Sequence, residues 1–220
     1  RTAADALEGI RSTRNNVAIL FIDVDRLKDV NDTVGHEIGD ALLAQVANRI
    51  SHATRPSDVV ARIGGDEFVV LCDGNIDEHT AVDLAERIRH SLSGRIMVHG
   101  VEVELSVSVG VAVGLPAHLE GVSCQEAAIE LLRNADIAMY QAKRRGRSRS
   151  ELYTDAMRAE SRHHKQLSNE LERALAAGQR APATGASTRL RGHGLDFGLQ
   201  LQPALFQHRH FGGDVVQAAA

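Results

Sequence analysis

An α/β fold of the α+β sandwich type, with a mixed, largely antiparallel sheet flanked by helices, is what this chain predicts. Three patterns predict it. Val17-Ala18-Ile19-Leu20-Phe21-Ile22 is a near-continuous apolar run of strand length, as in a strand buried on both faces. Two short apolar, β-branched runs, around Val59–Ile63 and Val69–Leu71, flank Gly64-Gly65-Asp66-Glu67-Phe68 and read as a β-hairpin. Stretches of helical periodicity separate the strands. Strands and helices interleaved with hairpins argue for a mixed sheet rather than a doubly wound parallel one.

The elements follow in order. A strand at about 17–23 leads into helices at about 26–34 and 38–53, the second with Leu42, Leu43, Val46, Ala47 and Ile50 on one face. The hairpin occupies about 58–72, and its Gly pair supplies the positive φ that a tight turn demands. A helix at about 77–93 buries Leu84, Ala85, Ile88 and Leu92. A second hairpin spans about 95–113, where Val101, Val103, Leu105, Val107, Val109 and Val111 alternate strictly. Ser123-Cys124-Gln125-Glu126 is a capping box that opens a helix running to about Lys143. A short strand at about 149–153 closes the domain.

Composition narrows the function. The 220 residues suit one domain with extensions, and 43% hydrophobic residues suffice for a core. Aromatics are only 3%, so the core is aliphatic. A net charge of −4 gives no support for nucleic-acid binding, where a basic excess is expected. The two cysteines, Cys72 and Cys124, are far apart and form no C-x-x-C; they read as buried free thiols in a reducing compartment. The apolar runs are too short to cross a membrane, and no signal segment opens the chain.

Chemistry concentrates at two places. Asp23-Val24-Asp25 ends the buried strand, where an unpaired carboxylate is costly. Asp23 reads as a metal ligand, and Asp25 as either the N-cap of the next helix or a support for Asp23. Asp66 and Glu67 follow the Gly pair, where bare backbone can approach a phosphate and carboxylates can hold a hard cation. Taken singly, Lys28 reads as a solvated cation, Asn31 and Asp40 as caps, and Lys143-Arg144-Arg145-Gly146-Arg147 as a cationic helix end.

Taken together, residues 23–40 spell D-x-D-x-x-K-x-x-N-D-x-x-G-H-x-x-G-D. With the Gly64–Phe68 turn, this resembles the GGDEF family of diguanylate cyclases from about Val17 to Tyr153. The resemblance implies a palm-like nucleotide cyclase fold and condensation of two GTP into cyclic di-GMP, with release of pyrophosphate. It implies two magnesium ions per half-site, with manganese as a substitute. They would be held by Asp23, Asp66, the Val24 carbonyl and Glu67, the last as a ligand or charge partner. Asn31 and Asp40 match the guanine-reading positions, and Lys28, Gly64 and Gly65 match substrate-binding positions. Tyr140-Gln141-Ala142-Lys143 and Gly146-Arg147 match the family's Y-x-A-K and G-R signatures, making Lys143 and Arg147 phosphate clamps. The family usually continues Gly-Arg-Asn; here Ser148 follows.

The resemblance also implies regulation. Arg55-Pro56-Ser57-Asp58 is an R-x-x-D five residues before Gly64, as in the family's product-inhibition site, and Arg87 matches a further arginine of that site. Catalysis would need a homodimer, since one domain carries one GTP half-site. No nucleic acid or direct membrane contact is implied, and the location is cytoplasmic, with a parent protein that an upstream region could tether to a membrane. A D-x-L-T-G-L-x-N-R segment is expected before residue 1. Residues 1–16 read as a helical remnant, 17–153 as the catalytic domain and 154–178 as a connector helix of the kind leading to an EAL phosphodiesterase domain. Residues 179–220 read as a disordered or non-native tail, in which His208 and His210 lack partner acids for a metal site. The competing reading is a catalytically silent module that binds GTP or cyclic di-GMP. A polymerase-type palm would need a basic template groove, which the chain does not supply.

Overall fold

The sheet is built outward from β1 (Val17–Val24), every residue of which is buried. The computed structural model describes residues 16–74, 76–114 and 123–161. β1 is followed by α1 (Leu27–Val34), α2 (His36–Ala53), β2 (Val59–Arg62), β3 (Glu67–Asp73) and α3 (Glu78–Ser91). Then come β4 (Gly94–Val98), β5 (Val101–Leu105), β6 (Val107–Gly114), α4 (Cys124–Arg144) and β7 (Ser150–Leu152). The main sheet has the order β2-β3-β1-β6-β7. All its pairings are antiparallel except β6 with β7. The mixed, largely antiparallel sheet is as the sequence predicts.

Side chains alternate across β1 and so feed two layers. Ala18, Leu20, Ile22 and Val24 join Leu42, Val46, Ile50, Leu84 and Ile88 of α2 and α3 in one apolar cluster. Val17, Ile19 and Phe21 join Leu131, Ala135 and Met139 of α4 in the other. Gly110 on β6 lets α4 approach: a Cβ there would lie 2.0 Å from the Ala135 carbonyl oxygen and 2.2 Å from the Met139 nitrogen. α4 opens with the expected capping box, the Ser123 hydroxyl accepting from the Glu126 N–H and the Glu126 carboxylate accepting from the Ser123 N–H.

The second hairpin is the main departure. Residues 95–113 are not one hairpin but three strands in two sheets. β4 and β5 pair as a separate two-stranded sheet. They turn through His99 and Gly100, both left-handed at φ 48° and 83°. After Ser106 the chain enters the main sheet as β6, beside β1. Alternation alone could not reveal this, because Val103, Leu105, Val107, Val109 and Val111 all face the same apolar cluster on both sides of the junction.

Residues 155–161 are helical. Met157 is buried, Arg158 donates to Glu130 and Asn134 at 2.8 Å, and Arg144 pairs with Glu160 at 2.9 Å, so this turn packs on α4. The rest of the expected connector, the N-terminal remnant up to residue 15 and the tail with His208 and His210 lie outside the described residues. Cys72 is a buried free thiol; the Cys124 side chain lies outside the description. No helix among the described residues is long and apolar enough to cross a membrane.

Candidate active site

The acids converge at one end of β1 and β3. Asp23 faces Glu67 across the ladder, and the Val24 N–H donates to the Asp66 carbonyl at 3.0 Å, tying the Gly-Gly-Asp-Glu turn to the end of β1. Lys143, in the last turn of α4, brings its ammonium 2.6 Å from Asp23 Oδ2. Asp23 is only 3% exposed, and its Oδ1 is buried with no hydrogen-bond donor. Burial pushes the Asp23 carboxyl up to about 7, against the pull of Lys143 and with help from Asp66 and Asp25.

That orphaned oxygen is the test of fit for a hard cation. An acceptor without a donor, beside two further carboxylates, is completed by a divalent ion with oxygen ligands. Among the described residues no group of three or more acidic, imidazole or thiol side chains is placed to hold a metal ion. Magnesium does not need one, since it takes few protein ligands and keeps water and phosphate oxygens.

The turn itself differs from expectation in mechanism. Neither Gly64 nor Gly65 lies in the left-handed region. The room above Gly64 is taken by the Glu67 carboxylate instead: a Cβ there would lie 2.4 Å from Glu67 Oε2, which would have to swing aside. Arg62 grips the turn, its guanidinium donating to the carbonyls of Gly64 and Gly65 at 3.2 and 2.8 Å.

Asp25 is not a helix cap. The N-cap position of α1 is Arg26, left-handed at φ 58° and without a side-chain cap bond. Asp25 turns inward, where it accepts from the hydroxyls of Ser106 and Ser108 at 3.0 and 2.8 Å and from the Ser148 N–H at 3.2 Å. Those donors are a better match for a buried carboxylate than one exposed helix N–H.

Lys28 and Asn31 lie one turn apart on α1, and Asp40 follows Gly39 in the first turns of α2. Asn31 Oδ1 is buried and without a donor. Gly39 makes its place: a Cβ at Gly39 would lie 1.8 Å from that oxygen. Lys28 and Asp40 are exposed and carry no ion pair among the described residues.

The profile of the family described as "Diguanylate cyclase, GGDEF domain" matches residues 2–149. The chain belongs to the GGDEF family. It is 37% identical over 169 residues to the cyclic di-GMP phosphodiesterase NbdA of Pseudomonas aeruginosa, covering 77% of this chain and 21% of that protein. It is 39% identical over 148 residues to the diguanylate cyclase TpbB of the same organism, covering 67% and 32%. The matched region thus spans between a fifth and a third of these curated relatives. Among solved structures, the GGDEF domain of TpbB is similar with a TM-score of 0.62 at 37% identity, covering 69% of this chain and 91% of that one. The GGDEF domain of DgcB from Caulobacter crescentus, in complex with c-di-GMP, is similar with a TM-score of 0.60 at 27% identity, covering 68% and 85%.

The residues expected to form a product-inhibition site lie at a separate corner. Asp58 accepts from the backbone N–H of Arg55 at 2.8 Å, so the R-x-x-D is a carboxylate-capped turn rather than a side-chain ion pair. Arg87 donates through Nε and Nη2 to the Ala53 carbonyl at the end of α2, at 3.2 and 2.9 Å. All three act on the buried Cys72 thiol: burial first and then Asp58 push it up to about 12, while Arg55 and Arg87 oppose. The three therefore share one neighbourhood above β3.

One acidic residue at the active end went unread in the sequence. Asp136 on α4 is two turns before Lys143, and its carboxyl is pushed up to about 6 by burial and by the Glu67 carboxylate, with Lys143 opposing. An i, i+7 spacing of Asp136 and Lys143 was its one sequence signal.

Proposed function

We propose that this chain is the catalytic domain of a diguanylate cyclase, joining two GTP into cyclic di-GMP with release of pyrophosphate. The observation that carries the reading is the orphaned Asp23 Oδ1 beside Asp66, Glu67 and Lys143, in a GGDEF domain whose turn is intact. Asp23, Asp66, the Val24 carbonyl and Glu67 would hold magnesium, two ions per half-site, with manganese able to replace it. Bound there, the metal would stabilise negative charge on the α-phosphate and on the attacking and leaving oxygens. Lys143 and Arg147 clamp the triphosphate, helped by Lys28 and by the bare backbone at Gly64 and Gly65. Asn31 and Asp40 read guanine, whose N1–H and N2–H₂ donors suit a carboxylate and whose N3 accepts from an amide.

The same reading assigns Arg55, Asp58 and Arg87 to product inhibition and requires two copies of the chain for one round of synthesis. Residues 17–153 are then the catalytic domain and 154–178 the start of a connector, in the cytoplasm where GTP is available. A silent cyclic di-GMP or GTP sensor is the second reading; the relative NbdA, named only as a phosphodiesterase, favours it. Incubation with GTP and magnesium, with chromatographic identification of the product, separates the two. Cyclic di-GMP is expected from the chain and none from Asp66→Asn; binding of GTP without product supports the sensor.

A further inference from the structure

Arg147 sits on backbone that its sequence does not favour. Gly146, Arg147 and Ser148 are three consecutive left-handed residues, at φ 113°, 62° and 49°. Only the first is a glycine, and a left-handed conformation at a non-glycine persists where its surroundings over-determine it. Here they do. The Arg147 N–H donates to the Ala142 carbonyl at 3.0 Å, which fixes the peptide before Arg147. The Ser148 N–H donates to Asp25 Oδ2 at 3.2 Å, which fixes the peptide after it. The Arg149 carbonyl accepts from the Val109 N–H at 2.9 Å, and the Ser148 carbonyl lies 3.5 Å from the Arg89 guanidinium. The Arg147 side chain, held by all this, is exposed and has no hydrogen bond or ion pair among the described residues.

Asp25 is the one side chain within this frame that is buried, charged and fully engaged. Ser108, completely buried, and Ser106 orient its two oxygens. The bond to the turn uses the Ser148 main chain, so the serine in place of the family's asparagine leaves it unchanged. We propose that Asp25 is a positioning residue for Arg147: through the Ser148 N–H it locks the left-handed turn that aims the Arg147 guanidinium at the substrate phosphates. The inference rests on reading Arg147 as a phosphate clamp.

Asp25→Asn and Asp25→Ala distinguish this from a role of the Asp25 charge. An asparagine can keep its oxygen toward Ser106 and Ser148 and turn its N–H₂ to the Ser108 hydroxyl, which also accepts. The probe is a GTP analogue lacking the 3′-hydroxyl, with magnesium, titrated calorimetrically against the full chain. Arg147→Ala is expected to weaken binding roughly tenfold. Asp25→Ala should weaken it comparably, Asp25→Asn by no more than about threefold, and Asp25→Ala with Arg147→Ala no more than Arg147→Ala alone. Hydrogen exchange at the Ser148 amide should be slow in the wild type and in Asp25→Asn, and fast in Asp25→Ala. Asn and Ala variants equally impaired, additive losses in the double variant, or fast Ser148 exchange in the wild type would overturn the proposal. The wild-type exchange decides the contact even if Asp25→Ala does not fold. Normal binding by Arg147→Ala overturns the clamp reading; a weakened Arg147→Ala beside an unaffected Asp25→Ala overturns the positioning role alone.

Discussion

Asp23 has one carboxylate oxygen against the Lys143 ammonium and the other with no donor at all. Its folded value of about 7 lies above the ordinary 3.8, so the stability this group contributes is complete below 3.8 and is lost as pH rises through about 7. In metal-free protein at pH 8 the buried charge therefore opposes folding. Asp23→Asn should stabilise the fold at pH 8 in EDTA, by on the order of 1–3 kcal/mol and seen as a higher unfolding temperature, and change little near pH 4. Thermal unfolding at the two pH values checks it; equal effects at both would show that Asp23 is not the group responsible. A residue kept at such cost is expected where function needs it. Gly39 makes a second case. Gly39→Ala would drive a methyl into Asn31 Oδ1, so a folded variant should lose much of its preference for GTP over ATP while retaining phosphate binding. Competition binding of the two nucleotides reads this directly, and an unchanged preference would remove Asn31 from base recognition.

At the scale of elements, α4 carries the burden of placement, because both Asp136 and Lys143 ride on it and it lies directly on β6. The approach at Gly110 is backbone against backbone, which cannot yield as a flexible side chain can. Gly110→Ala should cost about 1–3 kcal/mol in urea unfolding. It should also lower turnover, because α4 must shift with Lys143. Stability and turnover both unchanged would show that the helix tolerates displacement. The same packing explains what could be read from the chain. β1, the helices and their apolar faces were legible because burial imposes periods of 2 and 3.6 on local sequence. The motif residues were legible because Asp23, Asp66 and Lys143 each sit in a short local string that resembles a GGDEF motif. What escaped depends on contacts distant in sequence. The passage of β5 into β6 at Ser106 keeps the alternation of one strand. Asp25 looked like a cap because its donors at Ser106, Ser108 and Ser148 lie 81, 83 and 123 residues away. The space that Glu67 takes above Gly64, and Arg62's hold on the turn, belong to the folded hairpin and leave no period behind.

At the scale of the whole molecule, the proposed cyclase reading makes two predictions. Arg55, Asp58 and Arg87 all act on Cys72 of β3, the strand whose first residue, Glu67, belongs to the turn, and the proposed reading makes that corner the inhibitory site. Arg55→Ala should leave initial rates roughly unchanged and relieve inhibition by added cyclic di-GMP; an unaltered inhibition curve would reduce the corner to structure. The second prediction concerns assembly. The described residues hold one Gly64–Phe68 turn, one Asn31–Asp40 pair proposed to read guanine, and one Lys143. Two 3′→5′ bonds need two GTP molecules held head to tail, which two copies related by a two-fold axis can provide. The reaction depends on alignment of the reacting atoms at separations of roughly 3–3.5 Å, so productive encounters are a small fraction of collisions unless the copies are held together. On the proposed reading, dilution leaves the catalytic residues unchanged but removes the second half-site. Activity per mole of chain should therefore rise with protein concentration across the range in which sedimentation shows dimer forming. Fusion to a parallel coiled coil should raise activity at low concentration and flatten that dependence. Specific activity that stays constant while sedimentation shows only monomer would mean that one chain completes the reaction by itself.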